Sequence, residues 1–300
     1  MTTPLISKKT DNNVPPPIPH GFHHQINKIS GGFIFLTLVY VVTYYFLQDS
    51  GSYLRPAERF CPLNTAEDGR EAGTVEPCSR PDLFAFQVSS AIMQLFMAVM
   101  GLRSWHITKS AQKAIPATPE GRIFGYIEDA TVLNAGIFVY QTWDFIFSLT
   151  IPEHSTFIML SHHAAAAIMA YFSLEYQYIH HYAVYFGGCS EISSVFLVLC
   201  DLDVYFPSTP GSAFGTLIFA CQVTFTFLFL FYRVIGWWKV SYHLWSDALY
   251  VLKGGQAELF RPGKSFILYL FLTLNVLLGF LQVYWFGLIV QKIVEVLSGA

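Results

Sequence analysis

Charged residues are scarce in this sequence: they make up 12% of its 300 residues, whereas soluble proteins carry about 25%. It also lacks any run of Lys and Arg long enough to follow a phosphate backbone, so nucleic acid is not an expected partner. The first 30 residues do not show the charged, apolar and small-residue order of a cleavable signal peptide. We therefore expect the first apolar segment itself to direct entry into a membrane.

Apolar residues dominate instead, because 53% of the chain is hydrophobic and 17% is aromatic. Segments of about 20 apolar residues, the length of a membrane-spanning helix, follow one another with little polar sequence between them. The sequence therefore predicts an all-α, polytopic membrane helical bundle with about seven transmembrane helices. The predicted spans are 31–48, 83–102, 124–150, 156–173, 180–200, 213–236 and 265–291.

This pattern divides the chain into a polar tail, a first helix, a loop, a membrane domain and a second tail. The predicted boundaries are 1–30 for a cytosolic polar tail, 31–48 for the first transmembrane helix, 49–82 for an exoplasmic loop, 83–293 for a six-helix membrane domain and 294–300 for the C-terminal tail.

The distribution of Lys and Arg predicts the orientation. Twelve of the 17 lie on the side of the N-terminus, with Arg233 counted among them, and five lie on the opposite side. The positive-inside rule then places the N-terminus in the cytosol. The loop 49–82 is exoplasmic on this prediction, and in an oxidising compartment its Cys61 and Cys78 could form a disulfide. Their spacing leaves open whether the two Cα atoms meet.

Ionisable residues inside hydrocarbon are costly, so each one is a candidate for a functional role. Asp144 lies about 9 residues before the tight turn at 151–154 and His162 about 9 after it, so an antiparallel hairpin with a rise of about 1.5 Å per residue brings them to one depth. Asp144 is therefore expected to face His162 or His163. Glu191 reaches a similar depth in the fifth span. These four residues form the candidate catalytic set.

Amide residues are predicted to join the same polar layer and to line a lipid-binding cavity. They are Asn134, Gln141, Gln94, Gln222 and Gln282. Asn134 and Gln141 share with Asp144 a face of about 80° on the third span. Polar residues in spans also act as hydrogen-bonding contacts between helices, worth about 0.6 kcal/mol each. The residues alone leave open whether the layer is a site or a structural contact.

Adjacent histidines on a helix point about 100° apart, so His162 and His163 cannot chelate one metal as an i, i+4 pair could. No metal site and no permanently bound cofactor are therefore expected. A second pair, His180–His181, comes at the start of the fifth span and is predicted to lie at the membrane interface.

Five segments, taken in order, carry a resemblance to a known family. They are 136–144 with its aromatic approach to Asp144, 160–163 with the double His, 191–197 with Glu191 and two serines, 229–234, and 281–286. With these segments the chain resembles the TLC-domain family from about residue 84 to 293. That family includes the ceramide synthases and the translocating-chain-associating membrane protein.

The resemblance implies a membrane protein that acts on or senses membrane lipids. Ceramide synthases are acyl-CoA-dependent acyltransferases that use the double His. On that model one of His162 and His163 would be the general base or nucleophile, with acyl-CoA as a substrate and Asp144 or Glu191 orienting the ring. The later His-Asp and Asp of that signature are replaced here by Ser190-Glu191 and Ser194.

The alternative is a non-enzymatic lipid-binding, trafficking or scaffold protein with the same cavity. Both interpretations make membrane lipids the expected partners and allow a homo-oligomer. Both also place the protein in the endoplasmic reticulum or another endomembrane rather than in the plasma membrane.

Overall fold

The computed structural model describes residues 21–48, 80–206, 208–209 and 211–298. Secondary structure within these ranges is entirely helical. The α-helices are α1 (Phe22–Gln48), α2 (Pro81–Gly101), α3 (Ser110–Lys113), α4 (Pro119–Phe124), α5 (Glu128–Ser148), α6 (Phe157–Tyr176), α7 (His180–Val184), α8 (Glu191–Tyr205), α9 (Ala213–Leu228), α10 (Gly236–Lys253), α11 (Gln256–Phe260) and α12 (Phe266–Ser298).

Three π-helical segments extend or connect these helices. Leu102–Ile107 continues α2, Tyr185–Cys189 connects α7 to α8, and Phe229–Ile235 connects α9 to α10. Such segments hold an extra residue in the turn, which changes the direction in which the following side chains point, and they are frequent at functional sites.

Six helical segments of the described chain are long and apolar enough to cross a membrane. They are Phe22–Gln48, Pro81–Ile107, Phe157–Tyr176, His180–Asp203, Ala213–Lys253 and Phe266–Ser298. The remaining long helix is α5, which carries several polar residues and buries 12 of its 21 residues against its neighbours. The prediction of an all-α polytopic bundle of about seven helices is confirmed.

The first helix begins earlier than its apolar run suggests, at Phe22 rather than near residue 31. Its first backbone N–H, that of Phe22, donates to Glu175 Oε2 of α6 at 2.9 Å. Ile29 and Leu36 are buried further along the same helix. The polar start of α1 is therefore tied to the bundle.

Helices α5 and α6 pack together as an antiparallel hairpin. The turn that joins them ends at Thr156, whose hydroxyl accepts a hydrogen bond from the Met159 N–H and so caps α6. We call the end of the bundle with residues 149–156 the turn end, and the end with residues 177–179 the opposite end. The hairpin brings the polar residues of both helices to one depth.

A close backbone approach fixes the position of the segment before Glu191. A Cβ atom on Gly101 would lie 2.2 Å from the carbonyl carbon of Gly188, so only glycine fits where α2 meets the second π-helical segment. The Cys189 thiol lies 3.5 Å from the Gly101 carbonyl oxygen at the same contact. This contact holds the start of α8 against α2.

At the opposite end, buried polar contacts join the short helices to the bundle. Asp247 of α10 accepts hydrogen bonds from Arg122 Nε at 2.5 Å and from the Tyr182 hydroxyl. His180 and His181 are buried inside the protein, with exposed fractions of 1% and 8%. Their ring nitrogens contact backbone groups, among them the Ile127 N–H and the Ala111 carbonyl. Satisfied ring nitrogens remove the cost of placing these histidines in the interior.

At the turn end, Arg80 joins the start of α2 to the turn between α5 and α6. Its guanidinium lies 2.7 Å from Glu153 and 2.8 Å from Asp82. The hydrogen bond from Arg80 lowers the pKa of Glu153 below its usual 4.5. A lowered folded-state pKa stabilises the fold above the unfolded-state pKa, and that contribution disappears as the pH falls through the folded-state value.

We therefore expect the wild type to be more stable than Glu153→Gln by up to about 1 kcal/mol at pH 7. This difference should shrink toward zero as the pH falls below 4.5, because a protonated Glu153 resembles glutamine. Thermal unfolding of the detergent-solubilised protein between pH 7 and 3 measures it. Glu295→Gln, in an exposed pair with Lys292, is the matched control and should show no such trend. A Glu153→Gln difference that persists unchanged at pH 3 would contradict the prediction.

Candidate functional site

His163 is held between two residues of α5. Its Nε2 lies 3.0 Å from Asp144 Oδ1, and its Nδ1 lies 2.7 Å from Gln141 Oε1. Gln141 and Asp144 are three residues apart on α5, so both side chains reach the same face of α6. Asp144 also accepts from the Ser148 hydroxyl at 2.9 Å. Both nitrogens of His163 are therefore engaged, and the ring joins α5 to α6.

His162 points into open space instead. Its Nδ1 atom is buried and lacks a hydrogen-bond partner among the described residues. The ring contacts Trp285 of α12 edge to face, with 5.2 Å between the ring centroids. The sequence left open which histidine meets Asp144. The structure pairs Asp144 with His163 and leaves His162 facing the interior cavities.

Arg233 is the third component of the layer, and it lies in the π-helical segment between α9 and α10. Its Nη2 lies 2.9 Å from Glu191 Oε1. The guanidinium also donates to the Ser190 carbonyl, to the Ser193 and Ser194 hydroxyls and to Gln282 Oε1. Only 7% of Arg233 is exposed.

Arg233 therefore does not belong with the loop cations among which the sequence analysis counted it. Without it, eleven Lys and Arg residues remain on the side of the N-terminus against five on the other. The predicted orientation keeps its sign and stays a prediction.

Two cavities meet at this layer. The first has an empty volume of about 690 Å³ and extends toward the opposite end, where Asn134, Ser173 and Ile179 line it. The second has an empty volume of about 1280 Å³ and extends toward the turn end. Four residues line both cavities: Gln141, His162, Glu191 and Arg233. The polar layer therefore forms the boundary between two largely apolar spaces.

Four of the five predicted amide residues lie at these cavities. Gln94 lines the second cavity and donates to the Tyr140 hydroxyl at 3.2 Å. Asn134 lines the first cavity and donates to the Ser173 hydroxyl at 2.9 Å. Gln141 and Gln282 contact His163 and Arg233 respectively.

Gln222 departs from the prediction, because it is exposed on the outer surface of α9 and lines neither cavity. Helix α9 buries Cys221 and turns Phe225, four residues later, toward the second cavity. A side chain about 100° around the helix from Cys221 then points outward. The sequence predicts that Gln222 joins the polar layer by its depth in the span, but depth does not give the rotation of the helix.

Asp201 is a lining residue that the sequence analysis did not single out. It lies in α8 at the second cavity and accepts a hydrogen bond from Gln87 Nε2 at 2.9 Å. The predicted fifth span, 180–200, did not include Asp201.

Within the described ranges, no three His, Cys, Asp or Glu side chains are grouped to hold a metal ion. The predicted disulfide of Cys61 and Cys78 falls outside those ranges.

Comparison with known proteins adds one finding to this geometry. A family model described as the TLC domain matches residues 84–291, well over half of the chain. That range contains the whole polar layer, from Gln94 on α2 to Gln282 on α12. No curated protein and no solved structure matches the chain.

Proposed function

Because the chain belongs to the TLC-domain family of lipid-related membrane proteins, we propose that it takes a membrane lipid into its bundle and acts on it or senses it at the layer of His162 and Arg233. The observation that carries this proposal is the meeting of two cavities at one buried polar layer. Ligand pockets combine apolar walls with a few well-placed polar groups, and this interior has both.

Acyl transfer of the ceramide-synthase type is the first candidate activity. It is favoured by the buried Nδ1 atom of His162, which is left without a partner among the described residues. A hydroxyl or amine of the acceptor lipid would attack the thioester carbonyl carbon of acyl-CoA. Its proton would pass to His162 and then to the departing thiolate, so the products are the acylated lipid and free CoA.

A non-enzymatic role in lipid binding, trafficking or scaffolding is the second candidate. It is favoured by the position of Asp144, whose carboxylate contacts His163 and Ser148 and so does not orient His162. Glu191 likewise contacts Arg233. A general base usually depends on a second group that fixes its ring, and the carboxylates of this layer contact other side chains.

The proposed location is the endoplasmic reticulum or another endomembrane, where related TLC-domain proteins would meet their lipids. Self-association of the chain into a homo-oligomer also stays a proposal.

Filling the second cavity with a larger side chain tests the lipid-binding proposal. Val198 lines the second cavity from α8, and Leu199 lies beside it with 38% of its surface exposed on the outside of the bundle. We expect Val198→Trp to lower the lipid that co-purifies with the protein about tenfold, because the indole occupies the space of the ligand. Mass spectrometry of the detergent-extracted protein measures the lipid per mole of protein.

Leu199→Trp is the matched control and should retain the wild-type lipid. The comparison requires that both variants unfold at similar temperatures, so that loss of lipid is not loss of fold. If Val198→Trp retains as much lipid as Leu199→Trp, the lipid-binding proposal is wrong.

A further inference from the structure

The second cavity has two chemically different walls. On one side, α2 presents Gln87, Ser90 and Gln94, and α5 adds Tyr140 beside them. These α2 positions are spaced i, i+3 and i+7, so they form one stripe that is about 10 Å long at about 1.5 Å per residue. On the other side, α9, the π-helical segment after it and α12 present the apolar side chains of Phe225, Phe229, Leu288 and Ile289. Helix α8 adds Leu197 and Val198 to this apolar surface, and it also presents Glu191, Ser194 and Asp201 to the cavity.

Several polar atoms of this cavity lack protein partners. Ser90 is 5% exposed, and its Oγ atom has no hydrogen-bond partner among the described residues. The same holds for Gln94 Oε1 and for His162 Nδ1, which are also buried. Buried polar groups are almost always hydrogen-bonded in folded proteins. Three such atoms around one cavity are available to hydrogen-bond with a molecule bound there.

The charges of the cavity disfavour an anionic molecule. Its lining includes the carboxylates of Asp144, Glu191 and Asp201, and Arg233 is the only Lys or Arg among the described lining residues. Among the described lining residues, three carboxylates therefore face one guanidinium group. A phosphate in this space would meet more like charges than opposite charges.

We infer that the lipid in the second cavity has an uncharged headgroup bearing hydroxyl or amide groups. The headgroup lies along the α2–α5 wall, while the acyl chains lie against the apolar side chains of α8, α9 and α12. This inference rests on the proposed function, because it names the lipid class that the same cavity takes. Hydroxyl and amide groups both donate and accept, so they can satisfy Ser90, Gln94 Oε1 and His162 without adding charge.

The test compares two lipids that differ only in the headgroup. Dioleoylglycerol carries a free hydroxyl, and dioleoyl phosphatidate carries a phosphate on the same acyl chains. The full-length protein, delipidated in detergent, is titrated with each lipid, and binding is followed by native mass spectrometry. We expect dioleoylglycerol to bind with an apparent Kd at least about tenfold lower than that of the phosphatidate.

Two variants that each replace an amide side chain test whether the lipid binds along the polar wall. Gln94→Met keeps the size of the side chain but removes its hydrogen-bonding groups, so it should weaken dioleoylglycerol binding about tenfold. Gln222→Met makes the same chemical change on the exposed face of α9 and should bind like the wild type. Asp201→Asn removes one carboxylate from the cavity and should narrow the difference between the two lipids.

The outcomes separate this inference from the proposed function. Equal or tighter binding of the phosphatidate would overturn the uncharged headgroup while lipid binding itself stands. Equal weakening by Gln94→Met and Gln222→Met would overturn the placement along the α2–α5 wall. Binding of neither lipid, with co-purified lipid unaffected by Val198→Trp, would overturn the proposed function as well.

Discussion

Replacement of Arg233 with methionine is expected to lower the free energy of unfolding by about 3–5 kcal/mol, because it leaves the mostly buried carboxylate of Glu191 without its cation. In the wild type the guanidinium lies 2.9 Å from Glu191 Oε1 and also satisfies the Ser190 carbonyl. Methionine has a similar length but donates no hydrogen bond. Unfolding of the detergent-solubilised variant by heat or denaturant measures the effect, and Lys239→Met, at an exposed cation of α10, is the matched control.

The double variant Arg233→Met/Glu191→Met identifies the cause of that loss. If the unpaired carboxylate is responsible, removing it should restore much of the stability, because buried ion pairs can often be replaced by apolar residues at little cost. The two substitutions should therefore be strongly non-additive. A single variant as stable as Lys239→Met, or a double variant less stable than Arg233→Met, would show that the pair does not stabilise the layer.

Much of the fold could be predicted because a bilayer limits the choice of structure. Backbone polar groups in lipid must be satisfied within the chain, so a long apolar segment is a helix. The turn at 151–154 then fixed an antiparallel hairpin, and counting residues from it placed Asp144 and the double His at one depth. The structure brings Asp144 and His163 to 3.0 Å. Depth was thus accessible from the sequence.

The rotation of each helix was not accessible in the same way. Gln222 is exposed on the outside of α9, since nothing in its spacing indicates which face of that helix meets the bundle. Arg233 was counted with the loops although it falls inside the predicted span 213–236. The rule that ionisable residues in spans are candidates would have identified it. Its π-helical segment, which no pattern in the sequence predicts, belongs to a helix that continues to Lys253.

The burial of the His180–His181 pair illustrates a further limit. The sequence predicts that this pair lies at the membrane interface, but it does not indicate that the two rings are packed inside the protein. The rings are buried because backbone groups of distant segments, such as the Ile127 N–H and the Ala111 carbonyl, satisfy their nitrogens. Contacts of that kind depend on tertiary packing and leave no local signal in the sequence.

If the proposed acyl transfer proceeds through His162, His162→Gln should lower its rate by about 10²–10⁴-fold, the usual contribution of a general base. Glutamine preserves a polar side chain at the boundary of the two cavities but cannot take up the proton of the acceptor. The measurement is the lipidome of cells that carry the variant or the wild type at matched protein levels, together with transfer from labelled acyl-CoA in membranes. Co-purified lipid should persist in the variant, because the cavity walls are unchanged.

His163→Gln and Asp144→Asn decide whether that loss is chemical or structural. Both disturb the contact between α5 and α6, in which the His163 nitrogens are already engaged, so each should cost about 1–3 kcal/mol of stability. Neither removes the unpaired nitrogen of His162, so at matched protein levels both should retain most of the transfer activity. Equal losses in all three variants would mean that the layer acts as one structural unit. A His162→Gln lipidome identical to that of the wild type, with lipid still bound, would exclude acyl transfer through His162 and favour the binding role.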